Sequence, residues 1–368
     1  MKTALRVSRI IVGVLFIFSG LIKANDPMGL SYKMQEFFEI WGMGFLDQYT
    51  LAFSIMMISF EIIAGVAVLL GWQFKLFSWL LFLLIIFFTF LTGYAVFSGK
   101  IKECGCFGDC IKLTSNQSFT KDLILFFIIG FLLINKDKIR AISSTIVSLT
   151  VLVLVTIGSV WMQFYVLNHL PIVDCLPYKK GTLIPEKMKA PAGSIPDSTV
   201  INFVYIKQGK EIEFDAEHFP EDFNETDYTF VKRYDKLIRE GNAIPEIKDF
   251  VILSLDGIDT TTAILTHPGK IYVLFTLSIK NDAQIWLTDA ARIYKQAEAK
   301  DIPMIAVSSD AENLLFELKK QPLNIPVYKG DLVAIKTAAR SNPTLYLLDQ
   351  GKILGKWGKS DFSKVEIK

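Results

Sequence analysis

The 368-residue sequence is poor in the groups that most soluble chemistry uses: it holds three histidines, four cysteines and a formal net charge of only +2 from 39 basic and 37 acidic side chains. So even a balance, with no basic stripe interleaved with aromatics, argues against a nucleic-acid surface. His169, His218 and His267 are scattered, which leaves no histidine-rich metal site near the cysteines and no readable Ser–His–acid triad. There is no Walker loop and no full dinucleotide fingerprint, so soluble nucleotide chemistry is not indicated. Paired broken apolar segments and repeated intramembrane charges are missing too, which counts against small-molecule transport.

What the chain has in abundance is apolar surface. Hydrophobic residues make up 51% of it and the mean hydropathy is +0.38. They are concentrated before Leu170, whereas Lys, Asp and Glu crowd the remainder. A chain of this length exceeds one ordinary core, and its two halves read as solvated by lipid and by water respectively.

Five apolar runs qualify as spans. Ala4 to Ala24, centred on Ile10 to Ile22, spans if Arg6 and Arg9 snorkel to an interface. Its basic start also fits a signal peptide, but Ile22 stands where a cleavage site wants a small residue. Leu51 to Leu70 and Phe74 to Phe97 follow, joined by Gly71-Trp72-Gln73 and flanked by Trp72 and Trp79. Leu123 to Asn135 is short, extended by Phe119 and by Lys121 and Lys136 reaching outward from its ends. Ile142 to Val166 closes the series with Trp161 and Tyr165 as an aromatic anchor. Between the first two runs, Leu30, Met34, Phe37, Phe38 and Trp41 in Asn25 to Gln48 recur at helical spacing. They predict an amphipathic helix, either lying at the outer surface or capping the bundle.

Five spans with Lys2, Arg6 and Arg9 inside also put the basic loop Lys136, Lys138, Arg140 inside, as the positive-inside rule requires. The soluble half then lies outside, and cleavage of the first run leaves every later segment on the same side. A re-entrant Leu123 helix would reverse that order. All four cysteines fall on the outer side: Cys104, Cys106 and Cys110 in CGCFGDC after the third span, and Cys175 after the fifth. A disulfide needs alpha carbons about 4.4–6.8 Å apart, so Cys104–Cys106 needs a strained turn while Cys106–Cys110 has more freedom. Gly105 and Gly108 supply the turns. Strained or exposed bridges favour exchange chemistry, with Lys100, Lys102 and Lys112 available to lower thiol pKa values. The competing readings are structural bridges, including a tie to Cys175, and soft-metal ligation; with no histidine at hand, no metal is assigned. His169, at the end of the fifth span, could approach the cluster. Glu61, inside the second span, is either a proton relay or a polar contact to Ser19, Ser54 or Ser59, and Gly65 and Gly71 fit close helix approach.

SGLIKANDP at Ser19 to Pro27, FEIIAG and CGCFGDC together resemble the DoxX and MauE families of membrane proteins over roughly Val7 to Arg140. The resemblance implies a four-helix membrane core tied to quinone- or thiol-dependent redox processes, with the fifth helix and the long extension as additions.

From Pro171 the chain turns polar, and Pro177, Pro185, Pro191 and Pro196 favour an extended connector. Val200 to Ile206 and Lys210 to Phe214 read as a hairpin, with a further strand at Tyr228 to Lys232. Beyond Lys270 the order is strand Ile271 to Phe275, helix Asp282 to Ala299, strand Met304 to Ser308 and helix Glu312 to Lys319. Strands Thr344 to Leu348 and Ile353 to Trp357 follow, joined by Asp349-Gln350-Gly351. That order, with IPEIKDFVILSLDG as a lead-in hairpin, resembles the thioredoxin-like fold of the TlpA type. Asn342-Pro343-Thr344 matches the family's cis-proline loop, a client-binding element. The family's Cys-x-x-Cys position reads Thr276-Leu277-Ser278-Ile279-Lys280-Asn281-Asp282-Ala283, so this domain has no thiol of its own to exchange.

The expected fold class is an α-helical membrane bundle followed by an α/β domain with a small preceding β unit. Its expected divisions are a membrane core over 1–140, a fifth span over 141–170, a connector and β unit over 171–240, and a thioredoxin-like domain over 241–368. The expected setting is a bacterial inner membrane with the soluble half in the periplasm, the partners being the lipid bilayer and an extracytoplasmic or membrane protein. Two functions fit. In one, Cys104, Cys106, Cys110 and Cys175 exchange electrons with a partner, with a carrier such as quinone near Glu61. In the other, the cysteines are staples and the chain is a non-enzymatic scaffold or accessory subunit of an envelope complex.

Overall fold

The computed structural model describes the chain except residues 102–104, 225, 240, 278, 280–282, 321–322 and 368 and the side chains of 283–285. Helices α1 (Lys2–Asn25), α2 (Pro27–Ile40), α3 (Thr50–Leu70), α4 (Phe74–Ser98), α5 (Ser115–Ile134) and α6 (Thr145–Asn168) come first. Among the described residues, five helices are long and apolar enough to cross a membrane: Lys2–Asn25, Gly44–Leu70, Phe74–Ser98, Ser115–Ile134 and Thr145–Asn168. The fourth begins well before Leu123 because Thr114 and Gln117 form a reciprocal capping box that starts α5 in the polar sequence ahead of its apolar run. Phe90, Phe127, Leu154 and Ile157 stand exposed on the helices, an apolar exterior suited to lipid.

Glycine sets how closely α1 and α3 meet. A Cβ on Gly65 would lie 2.8 Å from the Gly13 carbonyl and 2.9 Å from Ile17, and one on Gly20 would lie 2.5 Å from Ile62. Small residues let the two backbones approach directly. Val12, Phe16, Ala64, Val68, Leu81, Ile85 and Ile129 then fill one buried cluster shared by α1, α3, α4 and α5. Gly71 ends α3 with φ +67, a left-handed conformation that glycine adopts without strain.

The segment between α1 and α3 is a cap packed on the bundle. Asp26 starts α2 by accepting from Gly29 N at 3.1 Å, with Pro27 in the first turn. Ser54 Oγ donates to the Pro27 carbonyl at 2.7 Å, Ser31 and Thr50 hydroxyls lie 2.9 Å apart, and Phe37 is buried with Ala95 and Ile101.

The chain forms two compact units, Met1–Thr182 with Val251–Lys368, and Leu183–Phe250. The second holds a short helix α7 (Ile184–Lys187) and strands β1 (Ser198–Lys207), β2 (Lys210–Asp215) and β3 (Tyr228–Arg239). They form an antiparallel sheet ordered β2-β1-β3. Gln208 and Gly209, both at positive φ, make the tight β1–β2 turn. Tyr205, Phe214, Phe223 and Tyr228 supply its aromatic core.

In the first unit, β4 (Ile252–Leu253), α8 (Thr261–Leu265), β5 (Lys270–Thr276), α9 (Ala283–Glu298), β6 (Met304–Ser308) and α10 (Ala311–Lys319) are followed by β7 (Val327–Gly330), α11 (Leu332–Ala338), β8 (Thr344–Asp349) and β9 (Lys352–Gly358). The sheet order is β4-β7-β6-β5-β8-β9. The three central strands β5, β6 and β7 are parallel and the others antiparallel. Uninterrupted burial of β6 and near-uninterrupted burial of β5 follow from a sheet covered on both faces.

Gly65→Val should lower the thermal midpoint of the detergent-solubilised protein, by an overpacking cost of about 1–3 kcal/mol. Gly158→Ala, at a position with open space around it, should leave the midpoint in place.

Candidate functional site at the cysteine loop

Gly105, Cys106 and Phe107, between α4 and α5, form one wall of a 480 Å³ cavity inside the bundle. Its apolar walls come from α1, α2, α3 and α4, with Phe16, Met34, Phe38, Met57, Phe60 and Phe88 among the lining side chains. Its polar groups include Ser19, Lys23, Lys33, Glu61, Thr92, Cys106, Lys121 and Asp122. Gly105 and Gly108, at φ +67 and +56, turn the loop, and Gly108 N donates to the Gly105 carbonyl at 3.0 Å.

Two ion pairs stand in the cavity wall, one buried and one partly exposed through its lysine. Lys23 Nζ lies 2.6 Å from Glu61 Oε1, and these side chains are 3% and 1% exposed. Ser19 Oγ lies within donating distance of both Glu61 Oε2 (3.1 Å) and the Cys106 carbonyl (3.2 Å), so its one proton serves either. Lys121 Nζ meets Asp122 Oδ1 at 2.5 Å, and Thr92 Oγ1 donates to the other carboxylate oxygen at 3.1 Å. Of the three serines expected near Glu61, Ser19 is the one that contacts it. Ser54 and Ser59 are engaged elsewhere, the latter with Gln163 across α3 and α6.

The cysteines separate into two states. Cys110 and Cys175, 65 residues apart, form a disulfide with their alpha carbons 4.8 Å apart. Cys106 is a free thiol in the cavity wall. Cys104 lies outside the described residues. The Cys106–Cys110 bridge that spacing favours does not form. Asn25 instead holds Val173 by both backbone groups, at 2.8 and 3.0 Å, and so brings the chain after α6 to the loop. Burial pushes the Cys106 thiol pKa up, with Lys121 and Lys23 opposing it. The cations that act on this thiol are Lys121 and Lys23 rather than the expected Lys100 and Lys112, and Lys102 lies outside the described residues. Lys121, expected to reach outward, turns into the cavity.

The α/β domain reaches the same end of the bundle through the residues around its proline loop. The Asn342–Pro343 peptide is cis. Asn342 Oδ1 accepts from Thr276 Oγ1 and Leu277 N, both at 2.9 Å, and Thr344 Oγ1 donates to the Ser341 carbonyl at 2.5 Å. One residue earlier, Arg340 Nη2 donates to Asp109 Oδ2 at 2.6 Å while its Nε lies 3.0 Å from Asp26 Oδ2, an ion pair whose angle is too poor for a hydrogen bond. Burial opposes the Arg340 charge, but Asp26 and Asp109 outweigh it and raise its pKa. Ser341 Oγ donates to the Asn168 carbonyl at 3.0 Å, and Lys356 Nζ to Asp174 Oδ2 at 2.8 Å. His169, rather than approaching the thiols, stacks on Tyr165 and meets Asp361 Oδ2 at 3.0 Å. Only glycine fits at 358, where a Cβ would lie 1.5 Å from the His169 carbonyl.

Sequence reasoning missed Lys23, Thr92, Asp122, Arg340 and Lys356 as members of the site. Lys23 had a readable signal: it falls one helical turn after Ser19, on the same face. Nothing local marks Arg340 or Lys356, whose partners lie far away in the chain.

Residues 1–135 match the family model of methylamine utilisation protein MauE, and residues 199–240 match a domain of unknown function, DUF8463. The chain is also 28% identical over 127 residues to protein TlpB of Flavobacterium psychrophilum, a stretch covering 34% of this chain and 35% of TlpB, or about a third of that relative's length. The membrane region is thus similar to MauE, and the likeness to TlpB is partial.

Alkylation of Cys106 by a membrane-permeant maleimide should rise with pH about a midpoint above the usual thiol value of about 8.5. A midpoint below it would contradict the burial argument. Glu61→Gln should destabilise the bundle by roughly 3–5 kcal/mol because it leaves Lys23 buried and unpaired, and the double variant Lys23→Met/Glu61→Leu should recover most of that loss in a thermal-unfolding assay.

Proposed function

We propose that this multi-pass membrane protein carries oxidising equivalents between a lipid-soluble acceptor and an extracytoplasmic dithiol client. The observation that carries the reading is the division of labour among the cysteines: a Cys110–Cys175 disulfide beside a free Cys106 that lines a cavity inside the bundle. The setting is the inner membrane of a bacterium with the soluble half in the periplasm, as the basic first turns of α1, Lys2 to Arg9, and the basic stretch Lys136 to Arg140 favour. The strand order, three parallel strands followed by an antiparallel pair, supports a thioredoxin-like domain, as does the cis Asn342–Pro343 bond leading into β8. With no Cys-x-x-Cys in that domain, the reactive thiols are those of the loop and of Cys175.

The chemistry is thiol–disulfide exchange. A client thiolate attacks Cys175 Sγ and breaks the Cys110–Cys175 bond. Its second thiolate displaces Cys175, so the client leaves as a disulfide and Cys110 and Cys175 remain as thiols. Cys106 and Cys110 then close a disulfide, releasing two electrons and two protons. Attack of the Cys175 thiolate on Cys110 Sγ expels Cys106 and restores the starting state. The neighbouring Lys121 and Lys23 ammonium groups ease formation of the Cys106 thiolate against the cost of its burial.

The cavity fits an isoprenoid quinone: aromatic and methionine walls suit the ring and tail, and Lys23 and Lys121 can donate to a carbonyl oxygen. Such a quinone supplies the two-electron, two-proton sink. In this reading Glu61 and Asp122, paired with those lysines, would hold protons beside it.

The alternative is that Cys110–Cys175 is a permanent staple and the chain a scaffold, a reading favoured by the 65 residues that the bridge spans and the buried contacts around it. Acid quenching and thiol labelling in growing cells separate the two. The parent should hold Cys110 and Cys175 predominantly as the disulfide, and Cys106→Ser should shift them to predominantly thiol because reoxidation fails. An unchanged redox state in Cys106→Ser would leave the scaffold reading standing.

A further inference from the structure

The acids that immediately precede both half-cystines are held by cations of the α/β domain. Asp109, before Cys110, receives Arg340 Nη2 at 2.6 Å, and Asp174, before Cys175, receives Lys356 Nζ at 2.8 Å. Both cations are nearly withdrawn from solvent, with side chains 6% and 4% exposed, whereas the acids are 29% and 23% exposed. We infer that Arg340 and Lys356 are positioning residues that clamp the Cys110–Cys175 disulfide closed and set its reduction potential. This rests on the reading of that disulfide as exchangeable.

The physical basis is linkage between docking and the covalent bond. Asp109 belongs to the loop after α4 and Asp174 to the segment after α6; Asn25 anchors the latter at Val173, and the bridge, with its alpha carbons 4.8 Å apart, is the covalent tie between the two. The two cations come from one rigid framework. Lys356 sits on β9 directly opposite Tyr346 of β8, and Tyr346 OH donates at 2.7 Å to the carbonyl of Ala338 at the end of α11, two residues before Arg340. Arg340 is further fixed by Asp26 at 3.0 Å and by the Tyr32 ring 5.3 Å from its guanidinium carbon. A framework with cations at a set separation binds two acids best when they too are at a set separation. Breaking the S–S bond removes that covalent tie, and the double contact then has to be made against the added motion of the two segments. Any interaction stronger in the oxidised than in the reduced state favours the oxidised state by the same amount. The clamp therefore makes the disulfide harder to reduce, and loosening it opens the bond to exchange. The domain that lacks thiols of its own governs the thiols of its neighbour in this way.

The test uses the full chain in nanodiscs, in a Cys104→Ser/Cys106→Ser background, so that Cys110 and Cys175 are the only titrating pair. The protein is equilibrated with graded dithiothreitol buffers, and the reduced fraction is read by mass-shift labelling. Arg340→Gln and Lys356→Gln should each increase the reduction equilibrium constant about tenfold, a shift of about 30 mV toward easier reduction. Lys356→Arg should restore most of its part, and Lys187→Gln, at an exposed pair elsewhere, should change nothing. Because Arg340→Gln leaves Asp26 without its partner, Asp109→Asn serves as the second variant, removing the clamp contact while Arg340 keeps Asp26. Potentials equal to the parent's in Lys356→Gln and Asp109→Asn would overturn the clamp. This readout is independent of Cys106, so failure of the exchange cycle and failure of the clamp appear in different experiments.

Discussion

Lipid offers no hydrogen bonds, so each polar group carried into the bundle has to be satisfied by another part of the chain. That constraint shapes the interior around the cavity. Lys23, Glu61 and Ser19 join α1 to α3, and Thr92, Lys121 and Asp122 join α4 to α5. Such pairs do little for net stability compared with apolar packing of the same volume, since desolvation offsets most of their attraction. What they provide is register and a fixed polar end in a cavity whose other walls are almost wholly apolar. The close α1–α3 approach at Gly13, Gly20 and Gly65 brings Lys23 within 2.6 Å of Glu61.

The same end of the bundle is tied from outside. The loop that contributes Cys106 to the cavity continues through Asp109 to Cys110, and from there a covalent bond leads to Cys175 after α6. Arg340, Ser341 and Lys356 of the α/β domain contact the chain at this point at Asp26, Asp109, Asn168 and Asp174. The α/β domain is thus joined to the bundle end by several partly buried polar contacts. The cis Asn342–Pro343 loop adjoins contacts made within its own chain.

Much of the architecture was legible in the residues. The span positions, the β1–β2 hairpin and the strand–helix order after Lys270 followed from hydropathy, from Gly209 and from alternating patterns, all of which are local signals. The shorter elements β7 and α11 were not legible, because a four-residue strand such as Val327–Gly330 is too brief to show a period. The start of α5 was missed for a related reason, since a capping box can extend a helix into sequence that reads as loop. At the site, the residue types were visible and their partners were not: CGCFGDC marked the loop as chemically unusual without saying which thiol would remain free.

By itself the sequence determined that the first half belongs in lipid, that the thiols cluster on one side of it, and that the α/β domain has no Cys-x-x-Cys. Composition and spacing settle such matters because solvation and thiol chemistry depend on which residues are present. Only the tertiary structure decided that Cys110 bonds Cys175 while Cys106 faces a cavity, that Glu61 takes Lys23 as its partner, and that Arg340 and Lys356 hold the acids flanking the disulfide. Each of these pairs joins residues separated by dozens to hundreds of positions, and such contacts are set by how helices and sheet pack in space, which no local pattern in the chain encodes.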